Sequence, residues 1–333
     1  MSSKKNSYIS TEILPGNNEG IYRAAQILND GGLVAFPTET VYGLGADATN
    51  SDAIDRLYQA KGRPHNNPLI IHVYDKTIAK EFVEMDHQAD ILSSSFWPGP
   101  LTLVLKQNDN INIRIAKSTL SNLQTTAIRV PGHPIARQIL KLCDNPIAAP
   151  SANMSGKLST TRFEDVLACM SGKVNAIVDG GPCPIGIEST IVEIRDGSFS
   201  VLRPGRITEE DIKLEIGKPQ HEIAKNEKKI TSPGQFKSHY RPETPIRLNV
   251  ICPRNDELLL AFGPLPKGLK GLSLSEISDP EEAAMNLYSA LADLDNLAKI
   301  TKSTSIAVQP IPPKGVGLAI NDRLQRAAYT PKV

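Results

Sequence analysis

The sequence is poor in cysteine and in charge imbalance, and it has no long apolar run. Each shortage removes a class of protein. Cys143, Cys169, Cys183 and Cys252 are the only four cysteines in 333 residues, with no C-x-x-C pair and no zinc-ligand spacing. A disulfide scaffold and a zinc module are excluded, and the thiols are expected to be buried in a reducing compartment. Lys and Arg total 37 against 36 Asp and Glu, a formal net charge of +1. No overall excess therefore points to nucleic acid or an anionic membrane, although a local basic patch is compatible with it. No stretch approaches the roughly 18 consecutive apolar residues of a membrane-spanning helix. The leading segment MSSKKNSYISTEILPGNNEG is polar and lacks the apolar core of a secretory signal. A cytoplasmic protein with no membrane partner is expected.

Several catalytic signatures are missing too. No G-x-x-x-x-G-K-[ST] occurs, so the phosphates of any bound nucleotide need donors other than a P-loop. No G-x-S-x-G elbow supports a serine nucleophile. The six His show no metal spacing, and His72, inside a predicted strand, reads by itself as a satisfied structural residue. Gly43-Leu44-Gly45-Ala46-Asp47-Ala48 fits G-x-G-x-x-A. The dinucleotide fingerprint, however, needs its first glycine directly after a strand and a helix opening at the glycines. Here PTETVY intervenes after Phe36, so the segment reads as a glycine-rich loop that lets backbone approach a ligand, or as a plain turn.

What is present is an alternation of strands and helices. A helix over residues 21–28 ends at Asn29-Asp30-Gly31-Gly32, and Leu33 to Phe36 is a strand stopped by Pro37. Asn50 or Ser51 caps a helix whose Ile54, Leu57 and Tyr58 share one face and whose end carries Lys61 and Arg63. Strands are predicted near 69–73, 101–105, 126–130, 146–149, 176–178, 189–194 and 199–202. Helices are predicted at 135–143, after a Thr161/Glu164 capping box, and after Thr208. The length suits about two domains. From 217 to 245 the apolar period breaks, leaving a linker or functional segment. A small α/β part follows at 246–333, with Asp279-Pro280-Glu281 opening its long helix. The reading is α/β throughout: residues 1–216, a connector at 217–245, and 246–333.

Polar residues collect at the ends of these elements: Thr38, Glu39 and Thr40; Lys61, Arg63 and Asn67; Thr125 and Arg129; Ser151 and Asn153; Ser189 and Arg203. Ligands of α/β proteins gather at such ends. Arg offers a planar fork to phosphate or carboxylate, Lys a compact charge, and Ser and Asn add neutral donors. Any one of these alone reads as a scattered surface residue. Together they favour a phosphoryl-handling site.

FPTETVYGLGADA, the Lys61-Gly62-Arg63 triplet, PSAN with Ser151 and Asn153, and SPGQFKSHYRP at 232–242 together resemble the YrdC-like family, in the long form with an extra C-terminal domain. The resemblance implies a twisted mixed α/β sheet with a large concave cavity, followed by a small Rossmann-like domain. It implies a nucleotidyltransferase that joins L-threonine, bicarbonate and ATP into threonylcarbamoyl-AMP and pyrophosphate. A separate transferase complex would then modify tRNA beside the anticodon. Mg²⁺ would come with ATP, and no protein-only metal site is expected. Lys61, Arg63 and Asn67 would meet the phosphates, with Lys61 and Arg63 catalytic. Thr125, Ser151, Asn153, Ser159, Arg203 and Tyr240 would be further nucleotide contacts. Thr40, His72, Arg129, Ala149 and Ser189 would form the threonine pocket, with Arg129 facing the amino-acid carboxylate. The 232–241 segment would close as a lid bearing His239, Tyr240 and Arg241, with 222–229 mobile.

Two rival readings use the same residues. One is a module that cradles double-stranded RNA by its backbone, which leaves direct RNA binding open. The other is a carbamoyl-type transferase acting on a different adenylate.

Overall fold

Alternating buried side chains and well-capped helices assemble two sheets in the computed structural model, which describes residues 9–108, 115–121, 123–221, 223 and 240–329. The first part runs β1 (Glu12–Pro15), α1 (Asn18–Asn29), β2 (Val34–Phe36), β3 (Gly43–Asp47), α2 (Ser51–Lys61), β4 (Ile70–His72), α3 (Lys76–Phe82) and α4 (His87–Phe96). It continues with β5 (Leu101–Lys106), α5 (Lys117–Leu120), β6 (Thr125–Arg129), α6 (Pro134–Leu142), β7 (Ile147–Ala148), α7 (Phe163–Met170), β8 (Ala176–Asp179), β9 (Thr190–Arg195), β10 (Ser198–Arg203) and α8 (Glu209–Ile216). The C-terminal part holds β11 (Ile246–Arg247), β12 (Glu257–Ala261), β13 (Gly271–Ser273), α9 (Pro280–Thr301), β14 (Ser305–Val308) and α10 (Val316–Ala328).

The large sheet is mixed, in the order β1-β8-β2-β3-β7-β4-β6-β5-β9-β10. The smaller sheet, β11-β14-β12-β13, is parallel throughout. Register decides which side chains share the working face of the large sheet. His72 pairs with Arg129 and Ile70 with Ala127 across β4 and β6, while Thr102 pairs with Arg129 and Val104 with Ala127 across β5. Directly paired residues point to the same side. Ile70, Val104, Ala127 and Ile191 accordingly form one apolar floor, with Arg129 and His72 at its end.

Most predicted elements recur with shifts of one or two residues. Asn50 does cap α2, accepting from the Asp52 and Ala53 amides, and Thr208 forms a capping box with Asp211 at α8. Three expectations fail. GLGADA is not a loop but β3, antiparallel to β2. A Cβ on Gly45 would lie 2.7 Å from the Phe36 ring and 3.0 Å from Ile147, so that glycine serves strand packing. The cap of α7 is Arg162 rather than Thr161: its side chain leaves the helix end for Asp165 and for Asp293 of α9. Cys252 is exposed and Cys143 and Cys169 are half-buried, so only Cys183 fits the buried-thiol expectation. β1, α3, α4, α5 and β13 were not anticipated. The segment 232–239 expected to be ordered, His239 included, and most of the 222–229 stretch expected to be mobile lie outside the described residues. No helix among the described residues is long and apolar enough to cross a membrane.

The two parts meet along a polar and apolar seam. Arg162 bonds Asp293 at 2.8 Å and Arg206 bonds Glu281 at 3.1 Å. Ile187, just before β9, is buried in the C-terminal core with Ala284 and Leu287. Gly186 lies so close to α9 that a Cβ would sit 2.4 Å from the Met285 backbone.

Candidate functional site

Helix α2 explains one side of the site. Its apolar face, Ile54, Leu57 and Tyr58, is buried. That anchors the helix end, where left-handed Gly62 turns the chain. Lys61, 2 % exposed, is carried inward, and its Nζ donates to the carbonyl oxygens of Ser151 and Asn153 in the loop after β7. Arg63 folds back, its Nε donating to the Asn67 carbonyl at 3.2 Å and its Nη2 to that of Pro68 at 2.8 Å. Burial, with Arg63 beside it, pushes the Lys61 ammonium down to about 7. Burial likewise lowers Arg63 to about 10.

The opposite end of the floor carries Arg129. Its Nη2 donates to Glu39 Oε1 at 2.7 Å, its Nη1 to Thr40 Oγ1 at 3.0 Å, and its Nε to the Gly99 carbonyl at 3.3 Å. A guanidinium has five N–H groups, so two remain to meet an anion. Burial pushes the Glu39 carboxyl up, but the charge and hydrogen bond of Arg129 outweigh it and hold the group below its ordinary value. Burial and the neighbouring Arg129 lower His72 to about 3, leaving a neutral imidazole whose Nδ1 pairs with the Ile70 carbonyl.

The third wall comes from β9 and β10. Arg203 donates to the Ser189 carbonyl and hydroxyl, each at 3.1 Å, and Ser189 in turn meets Thr102 at 2.7 Å. Glu188, beside Ser189, accepts from Ser159 at 2.6 Å, from Tyr288 of α9 at 3.0 Å and from Arg323 of α10 at 3.0 Å. Burial opposes its ionisation, yet Arg323 and Arg203 hold it down to about 2.

One cavity connects these walls. Among the residues anticipated from sequence it is lined by Thr40, Arg63, His72, Arg129, Ala149, Ser151, Ser189, Arg203 and Tyr240. Lys61 backs it through the Ser151 carbonyl. Asn67 is buried below Arg63, with its Oδ1 unpartnered among the described residues. Asn153 and Ser159 line a neighbouring cavity on the far side of the same loop. Thr125 is not at the lining; it shares the face of Arg129 four residues along β6, about 13 Å away. Sequence reasoning missed Glu188, Tyr288 and Arg323, and named Glu39 only as a polar strand-end residue. Arg323 did leave a signal: it is the single charged residue amid the buried stripe Ala319, Ile320, Leu324 and Ala327 of α10.

The charges do not balance. Lys61, Arg63, Arg129, Arg203 and Arg323 are buried around the cavity, against two buried carboxylates, Glu39 and Glu188. Buried charge without a partner is costly, so the arrangement calls for a multiply charged anion. It does not fit a resident metal. Glu188 is the one acid among the described lining residues, and both its oxygens are occupied. Among the described residues, no group of three His, Cys, Asp or Glu is placed to hold an ion.

Comparison with known proteins finds relatives along nearly the whole chain. Residues 26–205 match the Sua5/YciO/YrdC family model, described as telomere recombination, and residues 207–329 match the threonylcarbamoyl-AMP synthase C-terminal domain. The threonylcarbamoyl-AMP synthase of Bacillus subtilis (strain 168) is 39 % identical, over 96 % of this chain and 95 % of that protein. That of Pyrococcus abyssi is 38 % identical, over 92 % of this chain and 93 % of the relative. A crystal structure of P. abyssi Sua5 complexed with L-threonine superposes with a TM-score of 0.85 at 34 % identity, covering 96 % of this chain and 98 % of the other. Similar to these relatives along nearly its whole length, the chain belongs to the threonylcarbamoyl-AMP synthase family.

Proposed function

We propose that the chain condenses L-threonine, bicarbonate and ATP into threonylcarbamoyl-adenylate and pyrophosphate. The observation that carries this reading is the excess of buried cations over carboxylates around one cavity. Threonine's amine and bicarbonate give an N-carboxylate and water. One oxygen of that carboxylate attacks the α-phosphorus of ATP, the bond to the β-phosphate oxygen breaks, and pyrophosphate leaves with its electron pair. No protein nucleophile is required, which accords with the missing serine and cysteine signatures.

In this reading Lys61, Arg63 and Asn67 hold the phosphates, with Lys61 and Arg63 stabilising the charge that moves onto the leaving group. Thr125, Ser151, Asn153, Ser159, Arg203 and Tyr240 contact the rest of the nucleotide. Thr40, His72, Ala149 and Ser189 shape the threonine pocket, and the spare donors of Arg129 take the carboxylate. Mg²⁺ arrives with ATP as part of that substrate. The division we propose is a catalytic part at 1–216 with a concave cavity, a connector at 217–245, and a Rossmann-like part at 246–333. The product's consumer is a transferase acting on tRNA. Burial of the cations disfavours a duplex RNA backbone as the ligand, because a duplex needs exposed charge.

The test is pyrophosphate release with each substrate omitted in turn. Release requiring both threonine and bicarbonate is expected. Equal release without either would overturn the assignment.

A further inference from the structure

Glu188 is odd in an anion site. It is the one acid among the described residues lining a cavity whose other charged walls are Arg63, Arg129 and Arg203, and the nucleotide that the proposed function, on which this inference rests, places in that cavity is itself an anion. Left free, a buried carboxylate would repel it. It is not free. Oε1 accepts from Ser159 at 2.6 Å and Tyr288 at 3.0 Å; Oε2 accepts from Tyr288 and from Arg323 Nε, both at 3.0 Å. Tyr288 and Arg323 belong to α9 and α10, in the C-terminal part. Arg323 is 1 % exposed, and its Nη1 also reaches the Pro204 carbonyl at 2.7 Å, next to Arg203. Arg203 meets Ser189 from the other side. Two guanidiniums thus clamp the Glu188-Ser189 pair between them.

We propose that Arg323 and Tyr288 are positioning residues for the nucleotide site. Arg323 neutralises Glu188, and the fixed carboxylate in turn orients the Ser159 hydroxyl. The C-terminal part thereby completes an ATP site whose other walls lie on the large sheet.

A purely structural tie would not need this chemistry. Ile187 already seats the preceding residue in the C-terminal core, and Arg162 with Asp293 and Arg206 with Glu281 join the surfaces. A buried ion pair gives no general gain in stability over apolar packing, whereas removing one partner leaves a stranded charge. The stranded charge here would be negative, in the cavity proposed to take an anionic nucleotide.

The experiment uses the full chain and reads threonine- and ATP-dependent pyrophosphate release. Arg323→Met should raise KM for ATP about tenfold or more while KM for threonine stays within about twofold. Adding Glu188→Gln to that variant removes the stranded charge and should bring KM for ATP back to within about threefold of the wild type. If Arg323→Met lowers only the melting temperature, raises both KM values alike, or is not rescued by Glu188→Gln, the proposal is overturned. Should Arg323→Met fail to fold, Tyr288→Phe carries the same test through calorimetric binding of magnesium adenylyl-imidodiphosphate. About threefold weaker binding is expected, and none of that loss in a Ser159→Ala background. Unchanged binding, or the same loss in both backgrounds, refutes the relay. Binding of the analogue needs no turnover, so it reads the relay even if the proposed reaction is wrong.

Discussion

The Lys61 ammonium, at the end of α2, is docked on the main-chain carbonyl oxygens of Ser151 and Asn153 after β7. Two segments some ninety residues apart thus share one buried charge, and Arg63 lies beside it. In the proposed placement of the ATP phosphates, Lys61→Ala and Arg63→Ala should each reduce pyrophosphate release by roughly 100-fold. A cooperative thermal transition in both variants would place the loss in the site. Normal turnover in either would remove that residue from the mechanism.

Burial, with the Arg63 charge beside it, makes Lys61 a proton acceptor on ligand binding. Its ammonium sits at about 7 in the free chain, against an ordinary value of 10.5. At pH 8 much of it is therefore neutral, and a bound triphosphate favours the charged form. Binding of magnesium adenylyl-imidodiphosphate at pH 8 should take up close to one proton, read by calorimetry in buffers of different ionisation enthalpy. Lys61→Met should abolish the uptake. An unchanged uptake in that variant would assign the proton elsewhere.

Glu39 holds the guanidinium of Arg129 at 2.7 Å, at the end of the floor proposed to take threonine. Glu39→Gln keeps the shape but loses the charge that fixes the fork. KM for threonine should rise about tenfold, roughly 1.4 kcal/mol, with KM for ATP little changed. Equal effects on both substrates would point to a general loss of structure.

Acid should unfold the chain in two overlapping windows. His72 is neutral in the fold, at about 3 against an ordinary 6.5, so its protonation in the unfolded chain favours unfolding progressively as pH falls from 6.5 toward 3. Glu188 sits at about 2 against 4.5, so its stabilisation is complete above 4.5 and is lost as pH falls from there through 2. Urea unfolding measured across pH should show both slopes. His72→Asn should flatten the region between 6.5 and 4.5, and Glu188→Gln the region below it. Identical slopes in wild type and variants would contradict the assignment.

Legibility in the sequence followed the range of the forces involved. α2, its Asn50 cap and its cationic end are local features, written in a 3.6-residue period and a capping side chain, and they were readable. The apolar strand cores were readable for the same reason. GLGADA was misread because glycine permits both a loop and a strand that larger neighbours press against; only the distant Ile147 and the Phe36 ring decide between them. The cap of α7 was misread because Arg162 is drawn away by Asp293, 131 residues later. Glu188 lies 100 residues from Tyr288 and 135 from Arg323, so no local pattern announces their meeting. The cavity lining was largely legible because its residues sit at strand ends. Its brace from α9 and α10 was not, beyond the lone arginine on a buried helical stripe.

The most direct measurement of the central claim follows the carbon atom. Purified chain is incubated with MgATP, L-threonine and ¹³C-bicarbonate, and the adenylate product is weighed by mass spectrometry. A threonylcarbamoyl-adenylate heavier by one mass unit than with ordinary bicarbonate, its yield strongly reduced in Lys61→Ala and Arg63→Ala, is the predicted result. An adenylate carrying threonine without the labelled carbon, or labelled product undiminished in those variants, would contradict the account.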